Sequence, residues 1–279
     1  TGDYEHFTEN TTHASPVPSG TIAGDGSTVL KLYYDRDTVT VTFIENGGTL
    51  TDSATKTFKY GQTFSVTDPT RTDYAFNGWY NGDSKYTAST VTETKNFTLT
   101  AHWTADAVNY RVEHYIMGVD GNYPATTTQF NTESGIVDAS LPLSTLKISS
   151  YEVADGIMYK EAKVGSDVKT STAIVKNMTV KLYYERKSYI LGWETDRGTI
   201  TNPTDYTEAG MIYYGTAITA PTLTKAGHTY AWNVTPTTMP AKDVTYTANW
   251  TANAYYVAFN ANGGSGNMGN QTFTYGTAQ

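Results

Sequence analysis

The chain has 279 residues, a formal net charge of −8 and a pI near 5.1, so it lacks the concentrated Lys and Arg that a nucleic-acid backbone demands. No apolar run approaches the roughly 18–20 residues of a membrane-spanning helix, and the absence of cysteine excludes disulfides, thiol nucleophiles and zinc–thiolate sites. Twenty-three tyrosines in a threonine-rich background favour half-buried pleated surfaces, and the length suits two to four modules; the fold class is mostly β.

In chain order, "GSTVLKLYYDRD" (26–37) alternates as a strand, with Leu30, Leu32 and Tyr34 pointing inward and Lys31, Tyr33 and Asp35 outward. "TVTVTF" then places Val39, Val41 and Phe43 on one face ahead of the turn "ENGG", since Asn-Gly tolerates the positive φ of a hairpin. "FKYGQTF", "DPTRTDYAFNGWY" and a strand ending in Trp103 follow, and "VDGN" (119–122) marks another turn. "NMTVKLYYERK" (177–187) repeats the first strand, with Val180, Leu182 and Tyr184 inward and Lys181, Tyr183 and Glu185 outward. Neither "DPTRTDY" nor "APTLTKAGH" has a helical period, so each module carries at most one short helix or turn.

The copies keep a fixed order. Leu32 and Leu182 stand 150 positions apart, Trp103 and Trp250 stand 147 apart, and "VTFIENGG" returns as "VAFNANGG" (257–264). A Tyr-Gly pair follows at Tyr60-Gly61, Tyr214-Gly215 and Tyr275-Gly276. Such self-similarity marks an array. Short modules cover 37–105, 187–252 and the start of a third at 253–279; a long module covers 106–186, and 1–36 reads as the second half of another long one. No Pro/Ser-rich linker separates them, which predicts restricted hinges. The missing initiator Met and the ending within "FTYGTAQ" suggest a fragment of a longer chain.

The short module, through "VTFIENGG", "FKYGQTF", "DPTRTDYAFNGWY" and "FTLTAHW", resembles the Listeria–Bacteroides repeat, the B-repeat of internalin-type surface proteins. The long module resembles the mucin-binding-protein (MucBP) repeat. These resemblances imply small β-grasp, ubiquitin-like modules in tandem, forming an elongated rod. The second short module departs from the pattern at "WETDRG", where Arg197 replaces a glycine, and at "HTYAWN", one residue shorter before Trp232; an altered turn is expected there. Aromatics must supply much of a small module's burial, so Phe43, Phe76, Trp79 and Trp103 form the expected core, with Trp193, Trp232 and Trp250 in the second copy.

No catalytic constellation is evident. "GSGNMG" (264–269) fits a dinucleotide-loop pattern, but the alternating "NQTFTYG" after it reads as a hairpin. His6, His13, His102, His114 and His228 show no metal-binding or catalytic spacing, and Asp25, Asp120 and Asp155 precede glycines as turn residues do. The expectation is therefore no enzyme, no cofactor and no metal. Outward Tyr33 and Tyr183 are the candidate partner-binding side chains, able to stack on a sugar or anchor a protein. The implied function is a non-enzymatic segment of a bacterial cell-surface adhesin, extracellular and anchored to the cell wall, acting as a stalk. The alternative is that the modules themselves bind host glycan, mucin or a protein receptor.

Overall fold

A computed structural model describes residues 4–278; Thr1–Asp3 and Gln279, in the two terminal segments, lie outside the described residues. Its contacts fall into two units, residues 1–108 with 134–139, and residues 109–133 with 140–279.

In the first unit, β1 (Phe7–Glu9) pairs antiparallel with β2 (Tyr34–Arg36). A five-stranded sheet follows from β3 (Thr38–Ile44), β4 (Thr55–Lys59), β5 (Tyr74–Asn81), β6 (Ser84–Lys85) and β7 (Phe97–Ala105). Its order is β4-β3-β7-β5-β6. The opening strand β3 lies parallel to the closing strand β7, and the other pairs are antiparallel. The period-2 pattern of β3 buries Val39, Val41 and Phe43 to 3% exposure or less. On this face Phe43 meets Trp79 at 5.0 Å, Phe76 meets Trp79 at 5.6 Å, and Phe76 meets Trp103 at 5.4 Å between ring centres. Phe58, Val91 and Leu99 complete the cluster.

Residues 107–186 build β8 (Ala107–Ile116), β9 (Gln129–Ile136), β10 (Ser140–Pro142), β11 (Ile157–Val164), β12 (Asp167–Val168), β13 (Ser171–Ala173) and β14 (Thr179–Arg186). The main sheet has the order β9-β8-β14-β11-β12, again with opening and closing strands parallel at its centre. Strands β10 and β13 form a separate ribbon. Helical turns among the described residues are two short 3-10 segments, Leu143–Leu146 and Ser149–Tyr151; the expected single turn per module is therefore doubled here. Val180, Leu182 and Tyr184 are fully buried, as their alternation requires. Their counterparts Leu30 and Leu32, read as inward, are instead 56% and 38% exposed, because no strand covers that side of β2 among the described residues.

The last module contains β15 (Ser188–Glu194), β16 (Thr199–Ile200), β17 (Gly210–Tyr213), β18 (Leu223–Thr224), β19 (His228–Trp232) and β20 (Val244–Ala252). Its main sheet runs β17-β15-β20-β19 with β15 and β20 parallel. Trp193, Trp232 and Tyr246 pack around Leu191, Ile218 and Met239. Trp250 lies on Tyr230 at 5.1 Å. Finally, β21 (Ala254–Val257) and β22 (Gln271–Thr274) make a hairpin.

The expected altered turn at Arg197 is overturned. Asn46 and Gly47 have φ of 50° and 86°; Asp196 and Arg197 have 44° and 65°. Both turns close with the same bond, Gly48 N–H to the Glu45 carbonyl at 3.0 Å and Gly198 N–H to the Thr195 carbonyl at 2.9 Å. Arg197 points into solvent, so it accepts the left-handed conformation at a cost of about 1 kcal/mol rather than changing the turn. What the turn requires lies one residue later. A Cβ on Gly48 would sit 2.3 Å from Trp103, and one on Gly198 would sit 2.3 Å from Trp250. Each indole also donates to the turn, Trp103 Nε1 to the Glu45 carbonyl at 3.0 Å and Trp250 Nε1 to the Thr195 carbonyl at 2.9 Å.

Candidate functional site at the module junctions

The side chains singled out in the sequence are engaged within the chain. Tyr33 stacks on His13 at 3.5 Å. Tyr183 stacks on Tyr115 at 5.1 Å, meets the edge of Tyr123 at 5.0 Å and lies under Lys163. Both tyrosines are half-buried. Asp25 takes the backbone N–H and the hydroxyl of Ser27, and Asp120 takes the backbone N–H of Asn122; these bonds hold both carboxyls below their usual range. His102 stacks on Tyr80. His114 is fully buried with Nδ1 3.2 Å from the Tyr184 hydroxyl, and burial lowers its pKa. The "GSGNMG" stretch is an exposed loop leading into β22, not into a helix. No three metal-ligating side chains converge among the described residues.

The recurring geometry is instead at the points where one strand hands over to the next. At four places a closing strand and the following opening strand are separated by a single residue, Asp37, Asp106, Lys187 or Asn253. Each of these uses both backbone groups in opposite directions. Asp37 donates its N–H to the His6 carbonyl at 3.0 Å and accepts the Tyr60 N–H at 2.8 Å. Asp106 donates to the Asp73 carbonyl and accepts from Val137, both at 3.0 Å. Lys187 donates to Gly156 and accepts from Tyr214, both at 2.9 Å. Asn253 donates to Gly227 at 2.8 Å and accepts from Tyr275 at 2.9 Å. The donor bond ties the junction to the hairpin turn behind it, and the acceptor bond ties it to the turn ahead.

The Tyr-Gly pairs acquire a role here. Tyr60 stacks on His6 at 4.0 Å. A Cβ on Gly156 would lie 2.7 Å from the Tyr214 ring, and one on Gly227 would lie 2.3 Å from the Tyr275 ring. In each case the tyrosine packs against the turn that holds the junction residue from behind. Two arginines that close "LYYDR" and "LYYER" reach the same turns. Arg186 Nη1 donates to the Tyr214 carbonyl at 2.8 Å and its Nε to the Met117 carbonyl at 3.1 Å; Arg36 Nη1 approaches the Tyr60 carbonyl at 3.4 Å. At the Asp106 junction, the Tyr74 hydroxyl donates to the Asp138 carboxylate. Sequence reasoning passed over Arg36 and Arg186, although their shared place after the repeated Tyr-Tyr, one residue before the junction, was the signal.

The comparison with known proteins bears on the module between the first two junctions. Residues 40–102 match the Listeria-Bacteroides repeat domain. This repeat is typical of bacterial surface proteins. No curated protein matches the chain. The matched residues run from β3 into β7 and contain the turn and the Tyr-Gly pair, and Trp103, the indole that seals the turn, follows directly. Residues 188–252 share its central parallel strand pair, its turn and its indole contact.

Proposed function

We propose that this chain is a non-enzymatic repeat segment of an internalin-like or adhesin-type protein on the outside of a bacterial cell, anchored to the wall. It acts there as a semi-rigid stalk that presents an adhesive domain. In this reading each module is a β-grasp unit, and residues 106–186 are a MucBP-type module alternating with the Listeria-Bacteroides repeats. The central parallel strand pair flanked by antiparallel strands supports that assignment, since all three complete sheets have it.

One observation carries the stalk reading. A flexible linker needs residues whose backbone groups are free to turn toward water, whereas each junction is one residue long with N–H and C=O both bound. Bending there must break a backbone hydrogen bond, and at Asp37, Lys187 and Asn253 it must also lift a tyrosine ring from its turn. Arg186 adds two charge-assisted bonds to the Lys187 junction.

Small-angle scattering of the chain tests this. Modules of about 70 residues are roughly 30 Å across, so the expected maximum dimension exceeds about 100 Å. Inserting Gly-Gly-Ser after Lys187 should broaden the distance distribution. A compact globule, or an insertion that changes nothing, overturns the proposal.

A further inference from the structure

In each complete module the chain enters on one strand and leaves on that strand's parallel neighbour at the centre of the sheet. β3 lies beside β7 from Val41↔Phe97 to Ile44↔Thr100, β8 beside β14 from Arg111↔Thr179 to Ile116↔Tyr184, and β15 beside β20 from Leu191↔Val244 to Glu194↔Thr247. The chain arrives at the base of the opening strand and departs from the top of the closing one. A pull on the two ends therefore slides the strands past each other along their axes, and the evenly spaced rungs of a parallel pair are loaded together. A hairpin pulled at its two open ends instead gives way one rung at a time. The buried face also resists sliding, since a one-residue slip of β3 would turn Val41 and Phe43 outward.

Each ladder is locked at both ends. At the base, the residue just before the closing strand accepts a backbone N–H of the opening strand. Asn96 Oδ1 takes the Thr40 N–H and Asp243 Oδ1 takes the Ile190 N–H, both at 2.8 Å. In the long module the Met178 carbonyl, also one residue before its closing strand, takes the Arg111 N–H at 2.9 Å. An amide, a carboxylate and a main-chain carbonyl thus supply the same rung. At the top, Trp103 Nε1 donates to the Glu45 carbonyl and Asn46 Nδ2 to the Ala101 carbonyl at 3.1 Å. Trp250 Nε1 holds the Thr195 carbonyl, and the Met117 N–H holds the Tyr184 carbonyl at 2.9 Å.

We propose that these parallel pairs are shear clamps that carry tension along the chain, and that Asn96 and Asp243 are positioning residues that lock the base of the clamp in the two short modules. The single junction residue passes the load from each closing strand straight into the next opening strand. Forced unfolding is governed by the unfolding barrier and not by equilibrium stability, so a module small enough to be marginal at rest still holds under load. The stalk reading supplies only the source of the pull; the clamp follows from the ladders.

The chain has no cysteine, so a pair of introduced ones sets the points of pull on the full chain in an optical trap. Handles on Thr38→Cys and Thr104→Cys, both at exposed positions, load the first clamp in shear. Handles on Thr38→Cys and Lys59→Cys, which face each other at the open end of the β3–β4 hairpin, peel the same sheet. Shear should need at least about twice the force of peeling. Asn96→Ala should lower the shear force and leave the peeling force unchanged, and Asn96→Asp, which supplies the same acceptor as Asp243, should restore it. A variant that merely destabilised the fold would lower both. Equal forces in the two directions, or an Asn96→Ala effect that is absent or the same in both, overturns the proposal. Because the handles load the module directly, a failed clamp is distinguished from a failed stalk, which scattering reads.

Discussion

Residues 38–105 and 188–252 build the same sheet centre by different means. The first sheet carries an extra residue in β5: the ladder runs Phe76↔Trp103 and then Gly78↔His102, leaving Asn77 as a β-bulge. The second runs Tyr230↔Trp250, Ala231↔Asn249 and Trp232↔Ala248 without interruption. The residue missing before Trp232 is thus the bulge residue, and both tryptophans still face the core. The cores also trade volume. Phe43 beside Phe64 and Leu99 in the first becomes Trp193 beside Ile218 and Tyr246 in the second. The lesson is that register at the closing indole is held while the path to it varies, because a one-residue slip would turn the whole strand inside out.

The largest expected effect separates the two cores. Trp79 is 5% exposed and touches both Phe43 and Phe76, so Trp79→Ala should cost about 3–5 kcal/mol. Trp232→Ala, at a half-buried ring, should cost less; hydrogen exchange resolved by module would show which sheet opens, and equal losses would break the contrast. Next, Gly48→Ala and Gly198→Ala should each cost about 1–3 kcal/mol by forcing an indole off its turn. Similar losses are expected, since the contact is shared, and denaturant melts of the two variants check it.

Acid should act elsewhere. His114 is buried and kept neutral in the fold, whereas in the unfolded chain it protonates near pH 6.5. Unfolding then takes up a proton, so stability holds above about pH 6.5 and declines as pH falls below it. Residues 107–186 should lose exchange protection before either short module does, and His114→Gln should flatten that pH dependence. The smallest effect is a gain. Arg197→Gly should stabilise the last module by about 1 kcal/mol by relieving a left-handed Arg, seen as a raised denaturant midpoint, with no counterpart at Gly47.

Much of the fold was legible in the residues. Alternation in "TVTVTF" and "TVKLYYER" marks faces that are buried as the pattern demands. It failed at Leu30 and Leu32 because alternation reports which side chains share a face, not whether another strand lies over it. It also misjudged Arg197, since turn preference ranks residues by conformational cost and a cost of about 1 kcal/mol is easily outweighed by a sheet already in register. The junction site was only partly visible. The Tyr-Gly pairs and the short spacing stood out, but nothing linked Tyr60, Tyr214 and Tyr275 to the turns behind them.

By itself the sequence determined a β-rich array, its strand faces, its hairpin turns and the order in which they recur, because these follow from local pattern and from φ preferences. Only the tertiary structure decided how consecutive strands are joined. Asp37 and Asp106 carry an acid, Asn253 a neutral amide and Lys187 a base, yet each makes the same pair of bonds. Those bonds run from backbone to backbone, so they place no demand on the side chain and leave no mark in the residue chosen.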